Sequence, residues 1–382
     1  MVIENKPKTQ REATIRILAQ TIDARQGLLD LENKLQPFCE ERLTEEQLDL
    51  YRTIKIIEFV NPLDEPSHHM GRPSYGLFGF RRALIAMSVL HMRCIEDVRK
   101  RLMGDSNLRL ICGFPRVPSK ATFSRKIALL ASMKEADVTQ DALIRKYMSG
   151  RLVLHILRDS TAIETREKAE NKRKDVISSN KKKYSGDSVC PGRDDIPRIV
   201  RQQYQSVRFA VASLPHKCQW GGKRNSQGNV YFWKGRKLHL DVTDTGIPIS
   251  AIVTGAGVHD SQVAVPLEKM TSSRVAFCYS EMDKGYDASA IRNFCKQMGH
   301  IPIIDFKRRR DGQKPELDPA KKQRYKIRTT VERSNANIKD WILPDKLCLR
   351  SAKCIDYIIL LSVVVLTVFR LFSNGFIPCS DF

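Results

Sequence analysis

Four polar side chains recur at helical spacing near the end of the chain: Tyr325, Arg328, Glu332 and Lys339. If residues 325–339 form one helix, each residue advances about 100° around the axis, so the four side chains share one stripe. The stripe is polar where a core-facing stripe should be apolar. It is either a solvated face with an Arg328–Glu332 pair, or a carboxylate offered to a metal ion beside cations that hold phosphates. The second interpretation requires two more carboxylates from elsewhere in the chain.

Two aspartates follow apolar runs that are typical of β-strands. Residues 152–159 read LVLHILRD and end in Asp159, and residues 275–283 read VAFCYSEMD and end in Asp283. A strand that ends in a carboxylate is a common place for a metal ligand, although aspartate is also a common turn residue. Each aspartate is therefore a candidate whose role depends on what lies beside it in the fold.

The order of the predicted elements brings these carboxylates together. After the N-terminal region, the pattern predicts three strands, a helix, a strand, a helix, a strand and a final helix. This order resembles the ribonuclease-H-like arrangement, an α/β domain with a mixed five-stranded sheet flanked by helices. In that arrangement the first and fourth strands are neighbours and the final helix crosses both, so Asp159, Asp283 and Glu332 converge. Asp241 and Asp244 are rivals for the second position, but they belong to the second strand, and Asp283 is favoured.

The spacing Tyr-x2-Arg-x3-Glu-x6-Lys resembles, without a gap, the signature around the last acidic residue of bacterial insertion-sequence transposases of the DDE class. The segments DSTAI, LHLDVTDTGIPIS, GVHDS and MDKGYDA are similar to the strand and aspartate segments of these enzymes. The resemblance implies that Asp159, Asp283 and Glu332 are catalytic and bind two Mg²⁺ ions, with Mn²⁺ as a possible substitute. It also implies DNA contacts from the other three residues of the signature, Tyr325, Arg328 and Lys339.

Three carboxylates suit the cleavage of a phosphodiester. The reaction requires an activated oxygen nucleophile, a stabilised leaving oxygen and neutralised phosphate charge, which two Mg²⁺ ions supply together. The resemblance therefore implies a transposase that cuts DNA at insertion-sequence ends and joins the 3′-hydroxyl to target DNA. The alternatives are a non-catalytic or domesticated DNA-binding protein on the same scaffold, and a stand-alone nuclease.

The resemblance also indicates partners and location. We expect double-stranded DNA as the partner, both the inverted repeats of the element and the target, a homodimer in the DNA complex, and no membrane. The expected compartment is the bacterial cytoplasm, at the nucleoid. The chain departs from some relatives in two respects: Glu332 follows Asp283 by only 49 positions, which is short for a large β-stranded insertion, and the basic insertion after Asp159 is long.

The charge of the chain favours a polyanionic partner. Lys and Arg number 65 against 43 Asp and Glu, a net charge of +22. Residues 165–237 hold 18 of the basic residues and six of the acidic ones, so this basic insertion carries about half of the excess. Its basic clusters are the expected DNA contacts, namely Lys172, Arg173, Lys174, Lys181, Lys182 and Lys183. Four aromatic residues near its end either stack on bases or pack on the sheet, namely Trp220, Tyr231, Phe232 and Trp233.

The domain boundary is expected near residue 150. Residues 1–150 form an all-α domain, expected to bind transposon ends or to mediate assembly, and residues 151–382 form the catalytic domain. The N-terminal helices, one of them predicted at residues 78–102, suit either a helix-turn-helix reader or a plain bundle. Thr44 and Gln47 predict a capping box. The apolar run at 355–372 carries charges near both ends, which favours a buried terminal helix over a membrane span.

The cysteines point to a reducing compartment. None of the ten cysteines forms a CxxC pair, and no signal peptide is evident, so we expect free thiols in the cytosol. Cys190, His216 and Cys218 are a candidate metal trio, but a fourth ligand at zinc spacing is missing.

Overall fold

The computed structural model describes residues 35–39, 41–63, 75–170, 196–224, 227–307, 315–349 and 351–378. By its internal contacts the chain divides into two compact units. The first unit contains residues 1–148 with 364–382, and the second contains residues 149–363.

The first unit is built from helices, in keeping with the helical N-terminal region that the sequence predicts. Its helices are α1 (Glu45–Val60), α2 (Leu77–Val89), α3 (Ile95–Gly104), α4 (Ser106–Cys112), α5 (Lys120–Ser132) and α6 (Glu135–Met148). The predicted capping box is confirmed, because the Thr44 side chain accepts from the Gln47 backbone and the Gln47 side chain accepts from the Thr44 backbone. Ser119 caps α5 in the same way, through the backbone N–H of Thr122.

Residues 78–102, predicted as one helix, form two, and the prediction of a single helix was wrong. The backbone of His91, between α2 and α3, has a φ of 51°, a left-handed conformation that an α-helix does not contain. The N–H of Met92 donates to the carbonyl oxygen of Met87 at 2.9 Å, the 6→1 bond of a Schellman end. His91 thus occupies the position that glycine usually takes in this motif. Because glycine is absent there, the sequence contains no clear signal that the helix ends.

The second unit contains a mixed sheet flanked by helices. Its strands are β1 (Leu152–Thr165), β2 (Gln219–Arg224), β3 (Val230–Thr243), β4 (Pro248–Gly255), β5 (Ala276–Met282), β6 (Ile301–Ile304) and β7 (Lys346–Leu347). The strands lie in the order β2-β3-β1-β5-β6, with β4 also paired to β3 and β7 to β1. β1 runs antiparallel to β3 and parallel to β5, and β6 runs parallel to β5.

The described sheet has seven strands where five were predicted, and the predicted count was wrong. The two additional strands are β2, which lies in the segment assigned to the basic insertion, and the short β7. β3 is 14 residues long, so its first part pairs with β2 and its later part with β4. Gly235 lies where these two parts meet, and a Cβ atom there would be 2.2 Å from the carbonyl oxygen of Ile163. Glycine is therefore required for the backbones to approach at this point.

The helices of the second unit cover the sheet. They are α7 (Arg198–Gln203), α8 (Val207–Ala212), α9 (Ala264–Ser272), α10 (Ser289–Gln297), α11 (Pro319–Tyr325) and α12 (Thr329–Ala336). α12 contacts β1 and β3, whereas α9 contacts β4. Successive side chains of a strand point to opposite faces. On β1, Arg158 contacts α9 and Asp159 contacts α12.

One face of the sheet holds a dry polar network. Arg158 is fully buried, and its guanidinium donates to both carboxylate oxygens of Asp241 at 2.6 and 2.7 Å and to Glu268 at 2.9 Å. Glu268 also accepts from Ser280 at 2.9 Å and bonds to His300 at 2.7 Å. These charges are paired and hydrogen-bonded, as burial requires. We call this cluster the Arg158 network.

The last helix, α13 (Ala352–Ser373), is the apolar segment predicted as a buried terminal helix. It is long and apolar enough to cross a membrane by length and composition, but 72% of its apolar window is buried, as the prediction of a buried helix requires. Its later part groups with the first unit, whereas the sequence analysis placed all of residues 151–382 in one domain. Within that unit Thr367 donates to Gln140 at 3.0 Å, and the Arg52 guanidinium lies 4.2 Å from the centre of the Phe372 ring. These contacts explain the grouping.

Candidate functional site

Asp159 lies on the face of β1 opposite the Arg158 network. The sequence placed it at the end of a strand, but β1 continues to Thr165, because residues 159–164 pair with residues 235–240 of β3. The expectation of a strand-end carboxylate was therefore wrong for this residue. Asp159 Oδ2 accepts from Asn335 Nδ2 at 3.1 Å, and its Oδ1 is 3.9 Å from Arg328 Nη1.

The environment of Asp159 disfavours its charge. Its side chain is 17% exposed. Burial raises the pKa of this carboxyl to about 6, although the Arg328 guanidinium opposes the shift. The negative charge of Asp283 raises the pKa further. Arg328 alone does not offset burial and the charge of Asp283. A cation bound at this carboxylate would favour its ionised form.

Asp283 follows directly after β5. The parallel register pairs Arg158 with Met282, so the next residues along each strand, Asp159 and Asp283, lie side by side. Asp283 Oδ1 accepts from the backbone N–H of Gly285 at 2.7 Å. A Cβ atom on Gly285 would lie 2.8 Å from that same oxygen, so the turn has room only for glycine while the carboxylate stays in place.

Glu332 lies on α12, the helix that crosses this face of the sheet. Its carboxylate accepts from Arg328 Nη2 at 2.9 Å, and its side chain is 54% exposed. The predicted i,i+4 pair thus forms. Arg328 connects the two carboxylates, because its other terminal nitrogen faces Asp159. That nitrogen, Nη1, is buried without a hydrogen-bond partner among the described residues.

Residues 325–339 do not form the single helix that the sequence predicts. The end of α11 is followed by a 3-10 turn (Lys326–Arg328), α12, and a π-helical turn (Asn337–Ile342). The backbone stays helical throughout, but the winding changes twice, so α-helical spacing describes only the central part. Lys339, in the π-helical turn, is exposed. Its place on the common stripe therefore does not follow from helical spacing.

Tyr325 lies beside the cation of the site. The Arg328 guanidinium is 5.9 Å from the centre of the Tyr325 ring. Burial raises the pKa of the Tyr325 hydroxyl to about 12. Burial lowers the pKa of Arg328, but the negative charges of Asp159 and Glu332 outweigh this effect and raise it. Both groups therefore stay protonated at neutral pH, and each can donate to an anion.

One of the two rival carboxylates has another role. Asp241 pairs with Arg158 in the strand register and shares its face, opposite Asp159. Both of its oxygens accept from Arg158, and one also accepts from Thr271 at 2.7 Å. Asp244 follows β3 and its charge acts on His155 and Glu281. Asp241 therefore belongs to the buried network.

Sequence reasoning missed two polar residues around the site. Asn335 is three residues after Glu332, and its amide oxygen is buried without a partner among the described residues. Glu281 shares a strand face with Asp283, bonds to His155 at 2.6 Å, and has a pKa raised by burial to about 8. Alternation along β5 was the available signal for Glu281, since it is two residues before Asp283. For Asn335 the signal was its spacing on the helix.

The oxygen donors fit a hard divalent cation by type. Asp159 and Asp283 are neighbouring carboxylates, and the Asn335 amide oxygen beside them lacks a partner among the described atoms. The structure does not gather a complete ligand set, because within the described ranges no three His, Cys, Asp or Glu side chains are close enough to hold a metal ion. Glu332 bonds to Arg328 instead. Two of the three expected ligands thus lie together.

The remaining sequence candidates do not add to this site. Both ring nitrogens of His216 face backbone carbonyl oxygens, at 2.9 Å from Val253 and 2.8 Å from Val211. Cys218 lies 3.8 Å from the carbonyl oxygen of Glu167. The third member of that trio, Cys190, lies outside the described residues, and so do the basic clusters Lys172, Arg173, Lys174, Lys181, Lys182 and Lys183.

Residues 198–361 match a family model described as the transposase DDE domain. The matched range contains Asp283 and Glu332 and begins after Asp159. Comparison with curated proteins and with solved structures finds no match. Transposases of this class act on DNA and generally use divalent metal ions, so the match supports transposase activity for the second unit.

Proposed function

We propose, from the match of residues 198–361 to the transposase DDE domain, that this protein is a bacterial insertion-sequence transposase. It cleaves DNA at the ends of its element and joins the 3′-hydroxyl to target DNA. The observation that carries the proposal is the parallel pairing of β1 with β5, which sets Asp159 and Asp283 side by side near Glu332 of α12 and Arg328 of the preceding 3-10 turn.

The strand order supports a ribonuclease-H-like catalytic domain. Without β2 and β7, the sheet runs β4-β3-β1-β5-β6, so the third, second, first, fourth and fifth strands are neighbours in that order. The first three are antiparallel, and the last two are parallel to the first. This is the arrangement that the sequence analysis inferred from the order of elements.

We assign the metal-binding role to Asp159, Asp283 and Glu332. Two Mg²⁺ ions, or Mn²⁺ in their place, would supply an activated nucleophile and a stabilised leaving oxygen. The three carboxylates would hold these two cations in place. Arg328, which reaches both Asp159 and Glu332, neutralises the carboxylates when the cations are absent and is positioned to bind phosphate when they are present.

The other parts of the chain serve DNA binding in this proposal. Tyr325 and Lys339 flank the site, and the basic clusters between residues 172 and 183 contact the phosphate backbone. Residues 1–150 bind the element ends, where α5 exposes Lys120, Ser124 and Arg125 while burying Phe123. A homodimer on double-stranded DNA holds the two inverted repeats, and the protein works in the cytoplasm at the nucleoid.

Cleavage of DNA from the flanks of the gene tests the proposal. Wild-type protein in Mg²⁺ is expected to cut at the inverted repeats and to produce joined products with a target plasmid. D159N, D283N and E332Q are expected to lose cleavage while retaining DNA affinity, because metal binding serves chemistry more than it serves binding of the DNA backbone. Glu316→Gln is the matched control, because Glu316 is an exposed glutamate of the same unit.

The outcome also separates the alternatives. Cleavage without joined products would indicate a nuclease. Sequence-specific binding without any cleavage in Mg²⁺ or Mn²⁺ would indicate a non-catalytic DNA-binding protein. Wild-type activity in E332Q would remove Glu332 from the site.

A further inference from the structure

An antiparallel ribbon extends from the edge of the sheet in the second unit. It is formed by residues 219–224 of β2 and residues 230–235 of β3. Alternation places Trp220, Val230 and Phe232 on one face, where they are 62, 46 and 65% exposed. Phe232 lies opposite Gly222, and a Cβ atom on that glycine would be 3.0 Å from the ring. The ring therefore lies over bare backbone, and we call this surface the aromatic platform.

The opposite face of the ribbon is anchored to the protein. Trp233 is buried, fills the space over Gly221, and donates from its ring nitrogen to the Arg236 carbonyl oxygen at 3.2 Å. Tyr231 donates its hydroxyl to Glu164 of β1. The sequence left open whether the four aromatics pack on the sheet, and slightly favoured that they do. Packing holds for Trp233, whereas the two rings of the platform face solvent.

The ribbon lies beside the candidate site. Glu164, which anchors Tyr231, is five residues after Asp159 on the same strand and lies on the other face of it. The charge of Lys223, a ribbon residue, acts on the Asp159 carboxyl. Lys234 lies directly opposite Trp220 in the register and shares its face. The platform thus combines exposed rings with one cation, Lys234, whereas Lys223 lies opposite Tyr231 on the anchored face of the ribbon.

We propose that the aromatic platform binds unpaired bases of a DNA strand as it leaves the cleavage site. This proposal rests on the proposed function, since it assumes DNA at Asp159. Large exposed rings beside a lysine suit a ligand that offers both π faces and phosphates, which unpaired nucleic acid does. Paired duplex does not offer the faces of its internal bases, so the platform favours ends, overhangs or melted segments.

A binding experiment with two DNA probes tests the platform. One probe is a duplex with a single-stranded tail that carries 2-aminopurine, and the other is the same duplex with a blunt end. Wild-type protein is expected to bind the tailed probe more tightly and to quench 2-aminopurine through stacking. F232A and W220A are expected to lower affinity for the tailed probe about fivefold or more for each base unstacked. Affinity for the blunt probe is expected to stay unchanged.

Three matched variants keep the result specific. Phe232→Tyr retains a ring and should keep wild-type affinity, whereas Phe232→Leu retains an apolar side chain and should lose the preference for the tail. Phe209→Ala removes a ring of similar exposure, 61%, from α8 and should change neither affinity. Loss of affinity in Phe232→Leu with recovery in Phe232→Tyr would therefore report stacking.

Three results would overturn the assignment. Equal binding of both probes by wild-type protein would refute the platform alone. Altered sedimentation of F232A with unchanged DNA affinity would show that the surface binds a second copy of the chain. A wild-type protein that binds neither probe would overturn the proposed function together with the platform.

Discussion

Replacing Asp159 by asparagine is expected to stabilise the metal-free protein at neutral pH. Burial raises the pKa of the Asp159 carboxyl from 3.8 to about 6, although Arg328 lies nearby. In the unfolded chain the same carboxyl ionises near its ordinary pKa. Between these two values the folded state binds more protons than the unfolded state, so stability falls as the pH rises through that interval. Asparagine has nearly the same shape and carries no charge.

The magnitude follows from the difference between the two pKa values. A shift from 3.8 to about 6 corresponds to about 3 kcal/mol of lost stability at pH 7. At pH 5 the unfolded carboxyl is mostly ionised and the folded one mostly is not, so the loss is about 1.5 kcal/mol. At pH 4 the loss is about 0.5 kcal/mol. The D159N variant should therefore gain most at pH 7 and little at pH 4.

Chemical denaturation in the presence of a chelator measures this effect. The free energies of unfolding of wild type, D159N and the control Glu316→Gln are compared at pH 7, 6 and 5. Addition of Mg²⁺ should then stabilise wild type and leave D159N unchanged, because a ligand that binds only the folded state stabilises it by mass action. A D159N variant that is less stable than wild type at pH 7 without metal would refute the reasoning. It would mean that Arg328 and Asn335 more than compensate for burial.

Three further results are expected. Asp241→Ala removes the bidentate partner of the buried Arg158, which keeps only Glu268, and should cost about 3–5 kcal/mol of unfolding free energy, measured by denaturation. Gly285→Ala should abolish cleavage in Mg²⁺ with little loss of melting temperature, because the new Cβ atom would displace the Asp283 carboxylate. Neutralising residues 172–174 and 181–183 should flatten the log–log salt dependence of DNA binding by about one unit for each phosphate that the protein no longer neutralises. A slope equal to that of wild type would place these clusters away from DNA.

The sequence predicted the parts of the site that depend on local patterns. Asp283 follows a strand and Glu332 pairs with Arg328 at i,i+4, as their spacing indicated. The order of strands and helices predicted which strands are neighbours, because short connections leave few topologies. The sequence disfavoured Asp241 because it belongs to the second strand, and its burial beside Arg158 was not visible from the sequence. Strand register pairs Asp241 with Arg158, on the other face of the sheet from Asp159, and it depends on pairing between distant segments.

The parts that the sequence did not predict depend on tertiary structure. The length of β1 is set by the pairing of its residues 159–164 with residues 235–240 of β3. The residues around Asp159 contain no local signal for this pairing. The 3-10 and π-helical turns that flank α12 do not differ in composition from an α-helix. Exposure of Trp220 and Phe232 was equally hidden, because alternation shows which residues share a face but not which face is covered.

Arg158 and Asp159 are neighbours on β1 and point to opposite faces of the sheet. The register that buries Arg158 therefore also places Asp159 in the site. A slip of β1 by one residue would exchange the two side chains, placing a carboxylate against Asp241 and Glu268 and a guanidinium beside Asp283. Like charges would then be buried together in the dry interior, where they are most costly. The Arg158 network thus favours the correct register of β1 over a register shifted by one residue. When Arg158 has paired with Asp241 and Glu268, alternation along β1 places Asp159 on the opposite face, where the site is.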